Sequence, residues 1–199
     1  DTLKNLQGER HIRTAEYDGE VIYSVVPDHR VQLDYYRNTI LHLFVREAFA
    51  STALLARDYQ GEVSMADLVG DLRFLSDLLK REFIYRIGAL EDAAAAGFRV
   101  LEAEGAVFVE GDRVRLRPEG EGRLILFRNM ILPVLESYAI CAEHLPMLRW
   151  RGALTRKELV RRIMERARRD YYEGAITTQE AVSQVSLSNA IQAFKGQGI

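Results

Sequence analysis

The stretch SMADLVGDLRFLSDLLKREFIY (Ser64–Tyr85), followed by LEDAAAAGFRVLEAEGAVFVEGDRVRL (Leu90–Leu116), decides how this chain folds. Ser64 stands three residues before Asp67, close to a capping box, and Leu68, Leu72, Leu75, Leu79 and Phe83 then recur at three- and four-residue intervals. That spacing predicts a helix to about Tyr85. A second helical segment runs from Leu90 to Glu104 and stops at Gly105, a residue suited to the left-handed turn that ends a helix. Ala106–Val109 and Arg113–Leu116 then flank the turn Glu110-Gly111-Asp112. Helix, helix and hairpin in that order predict a winged-helix-like unit over about residues 64–117.

Upstream, Ile12 to Val26 alternate in polarity around Asp18-Gly19, a dipeptide that accepts the positive φ angles of a type I′ turn, so a small N-terminal β-hairpin is expected. After Pro27 the apolar residues Leu33, Tyr36, Ile40, Leu43 and Phe44 take helical spacing and continue through Leu55. One long, mostly buried helix is predicted there, with His42 as a core histidine. Downstream of Pro118 a further helix runs from about Gly122 to His144, kinked or divided at Pro133 and packing through Leu124, Phe127, Ile131, Leu135 and Tyr138. Pro146 and Gly152 mark a loop, after which Thr155-Arg156-Lys157-Glu158 caps a helix ending near Gly174. Thr177, three residues before Glu180, opens the last segment, and Ser188 precedes a short helix ending at Lys195-Gly196.

The fold class is therefore mostly α: a multi-helix bundle with a winged-helix-like helix-helix-hairpin unit and a small N-terminal β-hairpin. Residues 1–30 are read as hairpin and linker, residues 31–199 as a helical domain. Tyr35, Tyr36, Phe44, Leu72, Leu75, Phe83, Phe127, Leu135 and Tyr138 are its expected core residues.

A chain of 199 residues, 48% hydrophobic and 28% charged, can form a proper core without covalent staples; at this size folding buries about 70% of the surface the unfolded chain exposes. The lone Cys141, between Ile140 and Ala142, cannot form an internal disulfide and reads as a buried thiol in a reducing, intracellular compartment. Lys and Arg number 27 against 29 Asp and Glu, so net charge predicts no polyanionic partner. The stretch read as most apolar, Asn38 to Ala56, is broken by His42, Arg46 and Glu47, whereas a bilayer span needs about 20 apolar residues. No transmembrane helix is expected. The opening Asp1-Thr2-Leu3-Lys4 carries no methionine or signal peptide, and the chain reads as a piece of a longer protein.

Leu33-Asp34-Tyr35-Tyr36-Arg37-Asn38-Thr39-Ile40-Leu41-His42-Leu43-Phe44 resembles the signature that opens the C-terminal region of glycerol-3-phosphate and dihydroxyacetone-phosphate acyltransferases. Further matching segments follow in order: Leu79-Lys80-Arg81-Glu82-Phe83, Gly111-Asp112-Arg113-Val114, Leu132-Pro133-Val134-Leu135-Glu136-Ser137-Tyr138 and Ser186-Leu187-Ser188-Asn189-Ala190. The resemblance covers roughly Asp28 to Ile199. It implies a non-catalytic C-terminal domain of a membrane-associated enzyme of phospholipid biosynthesis. Such a parent transfers an acyl group from acyl-CoA or acyl-carrier protein, as substrate, to the sn-1 hydroxyl of glycerol 3-phosphate. No cofactor is implied. The partner implied is a preceding acyltransferase domain of the same chain, where a His-x-x-x-x-Asp pair deprotonates the hydroxyl; this domain packs on and stabilises it, at the cytoplasmic face of a membrane.

His29 and Asp34 satisfy that His-x-x-x-x-Asp spacing within the present chain. Phe83-Ile84-Tyr85-Arg86 and Pro118-Glu119-Gly120-Glu121-Gly122-Arg123 loosely match the family's phosphate-binding blocks, again in order. Their local physics is wrong for catalysis. Phe83 to Arg86 lies at a helix end, where carbonyls repel an anion, and the Pro118 segment reads as a hairpin running into a helix start. His29 and Asp34 are accordingly read as a helix-start pair, and no catalytic residue is expected here. His11 and His144 belong to no set with metal-ligand spacing, and no glycine-rich phosphate loop is present.

Between Arg149 and Arg169 nine basic residues meet only Glu158 and Glu165, while Leu159, Val160, Ile163, Met164, Ala167 and Tyr171 form an apolar stripe. The arginines Arg161, Arg162, Arg166 and Arg169 are the candidates for docking to an anionic membrane or to the partner domain. The competing reading is a winged-helix nucleic-acid-binding regulator. Its recognition helix would carry Glu91, Asp92, Glu102 and Glu104 against Arg99 alone, a charge that phosphates repel, so nucleic acid is not expected as a partner.

Overall fold

The computed structural model describes residues 2–29, 33, 37–57, 61–83, 90–148 and 154–198. They fall in two compact units, Asp1–Leu43 and Phe44–Ile199.

In the first unit a short helix, α1 (Thr2–Gly8), precedes strands β1 (Ile12–Tyr17) and β2 (Glu20–Val25), which pair antiparallel from Ile12↔Val25 to Tyr17↔Glu20. Asp18 (φ 51°) and Gly19 (φ 80°) make the tight turn, as their residue types dictate. The hairpin is the one the sequence predicts; α1, seven residues with only Leu3 and Leu6 apolar, is too short for a periodic pattern to announce it.

The long helix expected across Leu33 to Leu55 is not continuous. Residues 37–40 are helical, Leu41–Leu43 tighten into a 3-10 turn, and Phe44 leaves helical geometry (φ −114°, ψ 6°) before α2 (Val45–Leu55) starts. Burial explains the break. From Val45 onward α2 is enclosed on nearly every side, whereas Ile40 and Leu43 are 49% and 63% exposed. His42 is likewise exposed and is no core histidine. Asp34, Tyr35 and Tyr36 lie outside the described residues.

The second unit is built around a winged helix. Strand β3 (Glu62–Ser64) leads through the Ser64 cap, whose hydroxyl accepts from Asp67 N at 3.1 Å, into α3 (Met65–Leu79). Helix α4 (Leu90–Ala103) ends at Gly105 (φ 72°), where Ala106 N–H returns to the Leu101 carbonyl at 2.8 Å. Strands β4 (Val107–Glu110) and β5 (Arg113–Leu116) close the wing through Gly111 (φ 59°). The sheet order is β3-β5-β4, with Val63 opposite Val114 and Val109 opposite Val114 on the other side. Helix α2 packs against this unit so closely that a Cβ on Gly97 would stand 3.1 Å from the Arg46 carbonyl.

Helix α5 (Glu121–Leu148) spans 28 residues and runs unbroken through Pro133 and Pro146, so Pro146 lies within the helix and does not mark a loop. By length and composition alone Glu121–Pro146 could cross a bilayer, with a mean hydropathy of 1.5, but 44% of its most apolar window is buried inside the unit. It is a core helix, and it rather than Asn38–Ala56 comes nearest to membrane length. Helix α6 (Arg156–Tyr172), capped by Thr155, then a 3-10 turn (Gln179–Ala181) and α7 (Gln184–Gly196) complete the bundle. Ser183 caps α7, so Ser188 lies within the helix rather than before it, and Thr177 is engaged elsewhere.

Among the expected core residues, Leu72, Leu75 and Tyr138 are buried, while Phe44, Phe83, Phe127 and Leu135 are half-buried. Three of these rings make ring contacts across elements: Phe44 lies 6.4 Å from Phe127, and Phe83 lies 5.9 Å from Phe49.

The start of α5 is fixed sterically. A Cβ on Gly120 would fall 2.1 Å from the Ala106 carbonyl oxygen, whereas one on Gly122 would meet nothing within 4 Å. Gly120→Ala should therefore cost about 1–3 kcal/mol by forcing two backbones apart. Gly122→Ala, near the start of the same helix, should be neutral or stabilising by up to about 1 kcal/mol. Thermal unfolding followed by circular dichroism distinguishes the two.

Candidate functional site

The carboxy-terminal half of α5 carries a row of polar side chains that sequence periodicity reads simply as helix interior. Glu136 reaches across to residues 177–178, where one carboxylate oxygen accepts from Thr177 N (2.7 Å) and Thr177 Oγ1 (2.8 Å). Its other oxygen accepts from Thr178 N (2.9 Å) and the Thr178 hydroxyl. One turn of chain is thus held by a single carboxylate. Ser137, fully buried, places its hydroxyl 2.9 Å from the Pro133 carbonyl and 2.7 Å from that of Ala181. The first contact lies within the helix and the second joins α5 to the 3-10 turn.

Cys141, one turn on, donates its thiol to the Leu187 carbonyl at 3.7 Å. Burial pushes that thiol up to about 12. A nucleophilic cysteine needs the opposite, a thiolate favoured near neutral pH, so Cys141 is a small packed side chain. A further turn on, buried His144 sets Nε2 3.2 Å from Asp170 Oδ2 of α6, and Arg166 holds the other Asp170 oxygen at 2.7 Å. A buried carboxylate is tolerated when cations and ring nitrogens surround it in this way.

On the neighbouring face of α5 lies Tyr138, whose Oη is shut away from solvent, as is Oε1 of Glu82 just beyond α3. The Glu82 carboxyl interacts with the Tyr138 hydroxyl and with Asn189 of α7. Burial raises its pKa above the usual carboxylate range, against the two polar contacts that lower it. Tyr138 is raised as well, first by burial and then by the nearby Glu82 charge. Glu82, Tyr138 and Asn189 come from three separate segments, Leu79–Phe83, Leu132–Tyr138 and Ser186–Ala190, which only the fold brings together.

Of the residues singled out by motif, the structure describes only some. His29 ends a 3-10 turn (Pro27–His29), half-buried, with its ring edge-on to His11 at 4.8 Å. Its proposed partner Asp34 lies outside the described residues, as do Ile84 to Arg86. Gly120 of the Pro118 block serves the close approach to Ala106.

On α6, Glu158 receives Arg161 at 2.7 Å and Arg162 at 2.8 Å, and Glu165 also holds Arg161. These hydrogen bonds pull the Glu158 carboxyl down to about 2. Arg166 is committed to Asp170, while Arg168 and Arg169 are exposed. The wing arginines are occupied too: the guanidinium carbons of Arg117 and Arg115 lie 3.7 and 5.0 Å from the centre of the Phe108 ring. On α4 Glu91 pairs with Arg73, and just past its end Glu104 pairs with Arg123.

These features define a helical domain with a winged-helix core and inward-turned polar groups. The chain belongs to the glycerol-3-phosphate acyltransferase C-terminal region family, whose model matches residues 1–199. A glycerol-3-phosphate acyltransferase of Shewanella baltica (strain OS185) is 27% identical over 139 residues, 69% of this chain and 16% of the relative. The corresponding protein of Shewanella loihica is 28% identical over 122 residues, 61% of this chain and 14% of the relative. The chain thus spans a minor fraction of the curated relatives it matches.

The raised Glu82 carboxyl has a thermodynamic consequence. A folded-state pKa above the ordinary 4.5 favours the fold while the group is protonated, and that contribution is lost as pH rises through the folded value. Glu82→Gln keeps the shape and the contacts to Tyr138 and Asn189 without the charge. Its stability relative to the parent should therefore improve steadily from acid to neutral pH, measured by urea unfolding at several pH values. A difference independent of pH would show that Glu82 titrates as an exposed carboxyl.

Proposed function

We propose that this chain is the non-catalytic C-terminal domain of a membrane-associated glycerol-3-phosphate acyltransferase. Its parent transfers an acyl group from acyl-CoA or acyl-carrier protein to the sn-1 hydroxyl of glycerol 3-phosphate. The domain packs on the acyltransferase domain of the same protein, stabilises it and contacts an anionic membrane surface through α6.

The observation that carries this reading is the commitment of the chemically capable side chains to one another. Cys141 is buried with its pKa raised, His144 and Asp170 are joined within the core, and Glu136 and Ser137 are engaged with backbone groups. General acid–base or nucleophilic catalysis requires such a group to face substrate. Here they fasten helices. The chemistry of nucleic-acid docking is also poorly served, because Glu91 and Asp92 of α4 and Glu104 just past it are exposed, and Arg115 and Arg117 of the wing lie over Phe108.

Acyl transfer from acyl-CoA to glycerol 3-phosphate, measured for this chain alone and for His29→Ala, tests the reading. Neither protein should exceed the rate without protein. Activity in the parent chain that disappears in His29→Ala would overturn it and make His29 a catalytic base.

A further inference from the structure

The cations of α6 are not equivalent. Arg161 and Arg162 share Glu158, and Arg166 is held by the buried Asp170, so their charges are largely answered within the helix. Arg156 and Lys157 are exposed and enter no ion pair among the described residues. Both line a cavity of about 730 Å³ between the first turns of α6 and α7. Its inner wall includes Val160, which is buried, and Met164, which is half-buried; Gln184 and Ser188 face them from α7. Arg161 and Glu158 complete the charged side, so three cations there oppose one carboxylate.

We propose that this cavity binds the phosphate group of an anionic phospholipid, with Arg156 and Lys157 as the primary phosphate contacts. The inference rests on the membrane reading above and relocates its contact point from the internally paired arginines to the open end of α6. A cavity of this volume takes a headgroup together with the first carbons of a chain. The chemistry is matched in both parts: cations and the hydroxyl and amide of Ser188 and Gln184 suit the phosphate, and Val160 and Met164 suit the carbons. Val185, beside Gln184 in α7, is 68% exposed, an apolar side chain placed to enter the interfacial layer. Two unpaired cations in a helix's first turn also repel the positive end of that helix, and a bound anion relieves the repulsion.

The test is sedimentation of the 199-residue chain with phosphatidylcholine vesicles, with and without phosphatidic acid. Three forms are compared: the parent chain, Arg156→Glu with Lys157→Glu, and Arg168→Glu with Arg169→Glu. Binding should require phosphatidic acid and weaken by about tenfold or more in the first variant, with a smaller loss in the second. Carboxylates in the first turn favour a helix, so the melting temperature of the first variant should not fall, and lost binding then reports the site rather than unfolding. Binding that survives Arg156→Glu with Lys157→Glu but fails in the Arg168, Arg169 variant overturns the cavity and leaves membrane contact standing. Monomeric dihexanoyl phosphatidic acid separates the remaining outcomes. Arg156- and Lys157-dependent binding of this soluble lipid without vesicle binding upholds the cavity and overturns the membrane contact. Failure to bind either form overturns the proposal.

Discussion

A 28-residue helix can run through a small protein only if its polar side chains find partners inside, and α5 meets that constraint with Glu136, Ser137, Cys141 and His144. Each unsatisfied polar group buried there would cost about 1–3 kcal/mol, so the segment that follows must be positioned to serve them. The Thr177–Thr178 backbone, the Ala181 and Leu187 carbonyls and Asp170 do so in turn. The positions of α6, the 3-10 turn and α7 thus follow from groups on α5. At its other end the same helix is pinned by the approach of Gly120 to Ala106, which ties it to the wing.

A winged helix is often associated with DNA, but fold alone carries no function. Here the features that would read a groove are turned to structural use. Glu91 of the second helix and Glu104 just past its end pair with Arg73 and Arg123, and Arg115 and Arg117 of the wing lie over Phe108. Among the described residues, α6 exposes Arg156, Lys157, Arg168 and Arg169, outside the winged helix.

Charge along α6 shows why counting basic residues overstates a binding face. Glu158 and Glu165 sit three or four residues from Arg161 and Arg162, where helical geometry brings the groups together, and Asp170 draws Arg166 toward the core. Arg156 and Lys157 stay open because no carboxylate stands three or four residues from either.

Much of this architecture was legible in the sequence because it is set by local rules. Asp18-Gly19 determined a hairpin turn, Ser64 and Thr155 determined helix starts, Gly105 and Gly174 determined helix ends, and alternating or helical periodicity determined the winged-helix order. The family resemblance was legible in five short segments for the same reason, being a pattern along the chain. Three things were decided only by the tertiary structure. The break at Leu41–Phe44 has no glycine or proline to announce it and follows from the enclosure of α2 by its neighbours. The meeting of Glu82, Tyr138 and Asn189 joins residues far apart in sequence, and no periodicity encodes such a contact. The division of the arginines into paired and open ones depends on Asp170, whose burial against Arg166 no pattern along the chain announces, and on the cavity that α7 forms beside α6. Backbone conformation is governed by neighbours in the chain, whereas burial and charge pairing are governed by neighbours in space.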